Sequence, residues 1–597
     1  MTNRAREIYR ALLHQFVAES YVTTVFGERT AFLERVFQEG NNNLEPVVLV
    51  DGLVQPNALL AAVPTLSPGA AVLPGATRAT KLMIAQMGGS DGFEFVLQTP
   101  NDPSGFSATV LRSRRDPSHY TVAFRSTEFM NQSFGGDYER DGLGADTDLA
   151  LRGGAWAQLA AADAWFMRES GPGGVLAQAS KIDLTGYSLG SHVAMALTEL
   201  HVDRIHRTTV FNGPGRGQLR DGYTLRQVVD AYREIFRDPL AMPAGFTLFP
   251  SAVDLQRDAV RVASNPDAEL AVARSDNVYH DPRHQWASRR VGLAMQSRLF
   301  ESPGDMQRLD PAVDAKITYV YGMATHNDHV RVSLSGVIPV FDQVRVLIED
   351  QPLFGGNYLP FLASDEERRA RDFMRTHSIT LIADSVALSA LYAQVDASLP
   401  QAAIDAIFAA SSNRIARSSL DAARARAEAD TLERALDALR WAVLPEPMVT
   451  GRRVTPADDS LDGFGNLDFR NRFFDRIDEV SRYLAPPGSP RYCLMPLVTM
   501  TWTGDRRLGT DAGTGGRSRI VGTVQSRAEI LSVASADTPM GKAYRAALEH
   551  LSPFALHTTS VRDVDGQFAI ENFSTRYLID RTLLLHRTLK RNLENDQ

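Results

Sequence analysis

The stretch KIDLTGYSLGSHVAMALTEL, residues 181–200, changes its hydrophobic period halfway along. Lys181 to Thr185 reads as a short apolar strand, whereas Val193, Ala196, Leu197 and Leu200 recur at helical spacing from Ser191 onward. Ser188, between Gly186 and Gly190, therefore sits at a strand-to-helix corner. The bare pattern Gly-x-Ser-x-Gly carries little weight. At glycine and serine frequencies of about 7% each, a chain this long contains it by chance roughly one time in five. The corner gives it meaning. At a nucleophile elbow the glycines let strand and helix close around a strained turn, and the first amides of the helix face a developing oxyanion. The alternative, a glycine turn holding a solvated serine, does not need a strand on one side and a helix on the other.

Composition bounds what surrounds this corner. The chain has 597 residues, 44% hydrophobic and 22% charged, enough for the cores of roughly two to four domains. Its one cysteine, Cys493, excludes an intramolecular disulfide framework and any multi-cysteine zinc site, so packing must hold the fold. Lys and Arg number 63 against 71 Asp and Glu, a net charge of -8. No long basic block tracks a phosphate backbone, so nucleic acid is not expected as a partner. The N-terminus, MTNRAREIYRALLHQF, is charged and amphipathic, unlike a cleaved signal peptide. Apolar stretches such as ALLAAV and SITLIADSVALSALY are interrupted by proline or Asp384 before they reach the length of a spanning helix. The expected location is cytoplasmic, or exported without a cleaved signal peptide, and not transmembrane.

Other segments extend the strand-and-helix reading. YTVAFRSTEF, residues 120–129, is an alternating strand ending in Arg125-Ser126-Thr127. TTVFNGPGRG, residues 208–217, is another, closing in Gly213-Pro214-Gly215. Three strands separated by helical stretches imply a parallel sheet. With FRST, GYSLGS and FNGPG in this order, the chain resembles the lipase class-three family of α/β-hydrolases and its large bacterial relatives. GFSATVL (105–111), GGAWAQ (153–158), VLIEDQP (346–352), THSITLIADSVAL (376–388) and YLIDRTLLL (577–585) extend the resemblance, thinly beyond residue 400. Tyr187, Ser191 and Ser126 stand where the family usually has histidine, glycine and glycine. Ser126 departs most, because a side chain there crowds a loop whose backbone approaches the substrate oxygen. The resemblance implies two oxyanion donors: Thr127, through backbone and hydroxyl, and the backbone N–H of Leu189.

A serine hydroxyl needs a base, and in this fold the chain order is Ser, Asp, His. KITYVYGMATHNDHVRVSLSG, residues 316–336, is a β-branched and aromatic strand followed by a polar turn with Asp328, and it looks like the family's strand ending in Asn-Asp-x-Val. Asp267, in AVRVASNPDAEL, is the alternative acid, also after an apolar run. The resemblance implies His377, in a loop ahead of a long apolar helix, as the base. His326 and His329 around Asp328 raise a metal reading, but a turn would splay the rings and no third ligand follows. His280 and His284 have i, i+4 spacing with Pro282 between them, and both are expected at the surface. The Gly-rich DAGTGGRSR (511–519) lacks the lysine of a phosphate loop. No metal or organic cofactor is expected.

The expected architecture is an α/β-hydrolase core with a mainly parallel sheet over residues 85–395. A helical segment precedes it (1–84), a second follows (396–445), and a mixed C-terminal region closes the chain (446–597). Residues 215–312 separate one sheet strand from the next, too long for a simple connection, and so form an insertion. Within it, TLRQVVDAYREIFRDPLAMPAGFTLF (224–249) carries Leu225, Val228, Val229, Tyr232, Ile235 and Phe236 at helical spacing. This amphipathic helix is either a lid over an acyl groove or a permanent part of the core. The expected activity is serine ester hydrolysis of lipase or phospholipase type, on a lipid or other ester substrate, with transient lipid-surface contact if the helix is a lid. A soluble-ester esterase, or a non-catalytic scaffold used for binding, are the alternatives.

Overall fold

The computed structural model describes residues 2–19, 36–37, 47–50, 53–56, 80–127, 137–220, 222–238, 243–244, 246, 277–295, 309–323, 336–337, 339, 341–348, 379–411, 431–445, 467–486, 492–503, 519–558 and 573–595. Seven strands make the central sheet: β1 (Phe93–Thr99), β2 (Ala108–Ser113), β3 (His119–Phe124), β4 (Lys181–Tyr187), β5 (Arg207–Phe211), β6 (Ile317–Met323) and β7 (Asp342–Leu347). They lie side by side in chain order, β1–β2–β3 antiparallel and β3 through β7 parallel. The chain is an α/β protein built on a mixed, largely parallel sheet.

That strand order dictates how the two faces are covered. Successive right-handed crossovers that always step the same way across a sheet deliver their helices to one face. The helices α2 (Trp156–Ser170), α3 (Leu189–Leu200), α4 (Leu225–Arg237) and α5 (Pro282–Ala294) share one apolar core with Val122, Ile182, Leu184, Val210 and Tyr319. The opposite face needs helices from outside the crossovers. It receives α1 (Thr2–Ala18) and α6 (Ile379–Val395), which pack with Tyr187, Phe211 and Val320. Alternation along β4 carries this division: Ile182 and Leu184 face one core, Tyr187 the other. The second core continues into the C-terminal region through Phe473, Phe474, Leu494 and Leu585. Asp384, which interrupts the apolar run of α6, is partnered there by Arg470, whose Nη2 donates to Oδ1 at 2.7 Å.

Two expectations change. Within residues 1–84, read as helical, α1 is followed by three short antiparallel strands, Val36–Phe37, Val47–Val50 and Leu53–Pro56, a run whose β-branched residues outweigh the helical pattern. The amphipathic helix of the insertion forms as α4, opened by a Thr224/Gln227 capping box, but it is no lid in this structure. Leu225, Val228, Val229, Tyr232 and Ile235 are all buried in the crossover-side core. Its polar side is anchored as well. Arg226 and Arg233 donate to Asp163 Oδ2 at 2.6 and 2.7 Å, and His201 Nε2 lies 2.6 Å from Oδ1. Burial alone would raise the Asp163 pKa, but these partners hold it far below the ordinary carboxylate range.

Asp163→Ala should therefore lower stability by about 2–3 kcal/mol at neutral pH, the scale of a hydrogen bond to a charged group, since both arginines can turn back to water. A depressed native pKa contributes stability above the unfolded pKa that is lost as pH falls. Denaturant titrations should show the wild-type advantage at pH 7 shrinking below the ordinary aspartate range, with the variant lacking that decline.

Candidate active site

Parallel strands end together, so the loops after β3, β4 and β5 share one edge of the sheet. Register pairs Phe124 with Gly186 and Tyr187 with Phe211, which brings Arg125-Ser126-Thr127 and Asn212-Gly213 to either side of Ser188. Ser188 has φ 51° and ψ −122°, a conformation that side-chain-bearing residues avoid. Such a conformation costs on the order of 1–3 kcal/mol and persists only where its surroundings enforce it. They do so here. Ser188 N–H donates to Phe211 O at 3.0 Å, and Ser191 N–H donates to Ser188 O at 3.0 Å.

The two glycines are required for close approach. A Cβ on Gly186 would stand 2.2 Å from Gly190 O, and one on Gly190 would stand 2.4 Å from Phe124 O and 2.7 Å from Arg125 O. The start of α3 is thus pressed against the FRST corner. Leu189 opens the helix, so its N–H has no carbonyl one turn back to receive it. Ser188 itself is only partly buried, whereas Tyr187, Leu189 and Gly190 are buried.

Ser191 is an anchor. Its hydroxyl donates to Gly186 O at 2.7 Å and accepts from Phe211 N–H at 3.2 Å, tying the ends of β4 and β5 to the first turn of α3. The next residue clamps two loops. His192 Nδ1 lies 2.7 Å from Gly215 O, and Nε2 accepts from Ala155 N–H at 3.2 Å, which assigns the proton to Nδ1. Burial lowers its pKa to about 4, so the ring stays neutral. Asn212, with φ 45°, accepts Gly322 N–H on Oδ1 at 3.0 Å and so links the ends of β5 and β6.

The FRST corner is held from two sides. Ser126 does not crowd the loop as its side chain suggested: its N–H donates to Glu19 Oε1 at 3.1 Å and its hydroxyl to Oε2 at 2.5 Å. Glu19, fully buried at the end of α1, also accepts from Gln15 Nε2 at 2.8 Å, and Gln15 donates to Phe124 O at 2.8 Å. The Thr127 hydroxyl reaches Asp146 Oδ2 at 2.8 Å. Asp146 is the last residue of a six-residue π-helical segment, Asp141–Asp146. Burial raises the Asp146 pKa to about 7, opposed by the hydrogen bond from Thr127.

Ser188, Leu189 and Thr127 are therefore brought to one edge of the sheet. Asp328, Asp267 and His377 lie outside the described residues. Their nearest described neighbours are Met323 at the end of β6, Phe246 and Asn277 around Asp267, and Ile379 at the start of α6. Ser385 of α6 donates to Leu347 O at the end of β7, 2.6 Å away. The His326/His329 pair is outside the described residues too. His280 is exposed as expected, but His284 is not at the surface. It is buried, with Tyr232 OH 2.5 Å from Nδ1 and Asp148 Oδ2 3.1 Å from Nε2. Pro282 is the first residue of α5 after the cap Asp281, so His280 precedes the helix and the two rings never share a face.

Glu19, Asp146 and Ser191 were not evident as site residues from sequence. Glu19 and Ser126 are 107 positions apart and Asp146 and Thr127 are 19 apart, with no local pattern to join them. Among the described residues no helix is long and apolar enough to cross a membrane. Comparison with protein-family models, with curated proteins and with solved structures found no match.

Proposed function

We propose that the chain is a serine carboxyl-ester hydrolase with an α/β-hydrolase type of core, and that Ser188 is its nucleophile. The observation that carries this reading is the strained conformation of Ser188 at the strand-to-helix corner, with α3 pressed against the FRST loop through Gly190. A partly exposed serine held at positive φ, with helix amides beside it, is what acyl transfer needs. Ser188 Oγ attacks the ester carbonyl carbon while its proton passes to His377. The same proton then protonates the leaving alcohol, and water repeats the sequence on the acyl-enzyme. Asp328 holds the imidazole tautomer, with Asp267 as the alternative acid. Leu189 N–H and Thr127 receive the negative charge on the carbonyl oxygen.

A fluorophosphonate probe tests this directly. It should label the purified protein at Ser188 with loss of ester hydrolysis, and an unlabelled protein would reject the reading in favour of a binding scaffold. A panel running from short soluble esters to triacylglycerol and phospholipid then assigns the acyl and head-group class. With α4 anchored, this helix offers no reason for activity to jump at a lipid–water interface, so the soluble-ester esterase gains on the lipase.

A threonine hydroxyl has one hydrogen. When Asp146 is ionised it takes that hydrogen, and when protonated it donates to Thr127 Oγ1 and frees the hydroxyl for the substrate oxyanion. With the Asp146 pKa raised to about 7, kcat/KM should carry a descending limb near there, on top of the ascending limb of the histidine base. Asp146→Asn, whose amide can always donate, should remove the descending limb and keep the ascending one. Thr127→Val should lower turnover by roughly 10²–10³, the scale of one lost oxyanion donor, and leave no limb for Asp146 to produce. Unchanged pH profiles in both variants would remove Asp146 and the Thr127 hydroxyl from the mechanism.

A further inference from the structure

At the edge of the sheet opposite Ser188, side chains from two neighbouring strands and from the entry to a third meet. His119 opens β3, Asp183 is the third residue of β4, and His206 directly precedes β5. Register pairs Thr121 with Asp183, so His119, two residues before Thr121, stands on the same face as the carboxylate. His206 precedes the regular strand, and its ring turns back over the same carboxylate. His119 Nε2 lies 2.8 Å from Asp183 Oδ2, and His206 Nδ1 lies 2.7 Å from Asp183 Oδ1. One nitrogen of each ring and one carboxylate oxygen all lie within 4.8 Å of one another.

We propose that His119, Asp183 and His206 form a binding site for a divalent transition-metal ion of the Zn2+ type, with water completing the coordination. Two imidazole nitrogens and one carboxylate oxygen are a donor set that suits Zn2+, and three protein ligands leave a position open. Backbone ladders set the spacing of the strands that carry two of the ligands, so little ordering remains when an ion binds. The site is also reachable. The His119 and Asp183 side chains are 21% and 15% exposed and that of His206 is 46% exposed. His206 also lines an open cleft of about 560 Å3, together with Arg4, Glu7, Arg207, Lys316 and Asp342.

The nearest opposing charge is Arg207, whose Nη2 lies 3.6 Å from Asp183 Oδ2. Its Nη1 is held by Glu7 Oε2 at 2.7 Å, so a counter-charge accompanies it. His14, on the α1 side, is kept neutral, its pKa lowered to about 3 by burial and by the charge of Arg10. The ion would cross-link β3, β4 and the entry to β5. Ser188 is five positions beyond Asp183 along the extended chain, about 16 Å at the strand rise, so the ion would be structural and take no part in ester chemistry. This inference therefore stands or falls independently of the hydrolase reading.

The test uses the full chain stripped of metal and titrated with Zn2+ alone by calorimetry in a non-coordinating buffer, with thermal unfolding followed in parallel. The wild type should take up one saturable equivalent, and its melting temperature should rise with Zn2+ as expected for a ligand that binds only the folded state. His206→Ala, at a half-exposed ring, and Asp183→Asn, which keeps the side-chain shape, should each lose both the uptake and the rise. If Asp183→Asn fails to fold, His206→Ala decides alone. No saturable uptake by the wild type, or uptake and a thermal shift that persist in the folded variants, would overturn the proposal.

Discussion

Ser188→Ala should leave the protein folded and remove ester hydrolysis by several orders of magnitude, together with covalent labelling by an organophosphonate. The residual rate should be only what the oxyanion donors and substrate positioning provide, because removing one member of a triad removes the action of all. Folding should survive for a local reason. The backbone of Ser188 is tied through its N–H to Phe211 O and through its carbonyl to Ser191 N–H, and alanine retains both. The positive φ is no harder for alanine than for serine, since both carry a Cβ. Circular dichroism and a melting curve close to wild type, beside a dead hydrolase, are the expected pair. Labelling that persists in Ser188→Ala would assign the nucleophile elsewhere.

Asp328→Asn should reduce turnover on the order of ten thousand-fold, the loss seen when a catalytic imidazole is held in the wrong tautomer, while Asp267→Asn should cost far less. The comparison is built into the topology. β6 runs parallel to β5 and ends at Met323, at the same edge as Ser188, and Asp328 follows five residues later in the chain. β6 itself lies one strand beyond β5, on the side of the elbow away from the FRST corner. Steady-state kinetics on one soluble ester, with both variants checked for folding, separates the two acids. A larger loss in Asp267→Asn would make Asp267 the triad acid.

What could be read without coordinates follows from how local each signal is. The elbow was legible because its causes sit within ten residues: an apolar strand, two glycines flanking a serine, then helical spacing. The strands at His119–Phe124, Arg207–Phe211 and Ile317–Met323 were legible for the same reason, since alternation and β-branched residues need no distant partner. The amphipathicity of α4 was equally plain, but its role was not. A helical apolar stripe looks alike whether it covers a groove or a core. The ion pairs to Asp163, 63 and 70 positions away, are what make α4 a fixed element.

The FRST corner shows the boundary between the two kinds of information. Sequence alone determined that a serine would stand at a strand-to-helix corner and that Arg125-Ser126-Thr127 would follow a strand, because backbone propensity and hydrophobic period act over a few residues. Only the tertiary structure decided that Glu19 of the N-terminal helix would hold Ser126 and that Asp146 would hold Thr127. It also decided that His119, Asp183 and His206 would converge at the far edge of the sheet. These are hydrogen-bonding and charged groups whose partners are set by strand order and by which helix covers which face. The energy of such contacts depends on burial and on sub-ångström geometry, which no residue carries until the sheet has formed and closed around it.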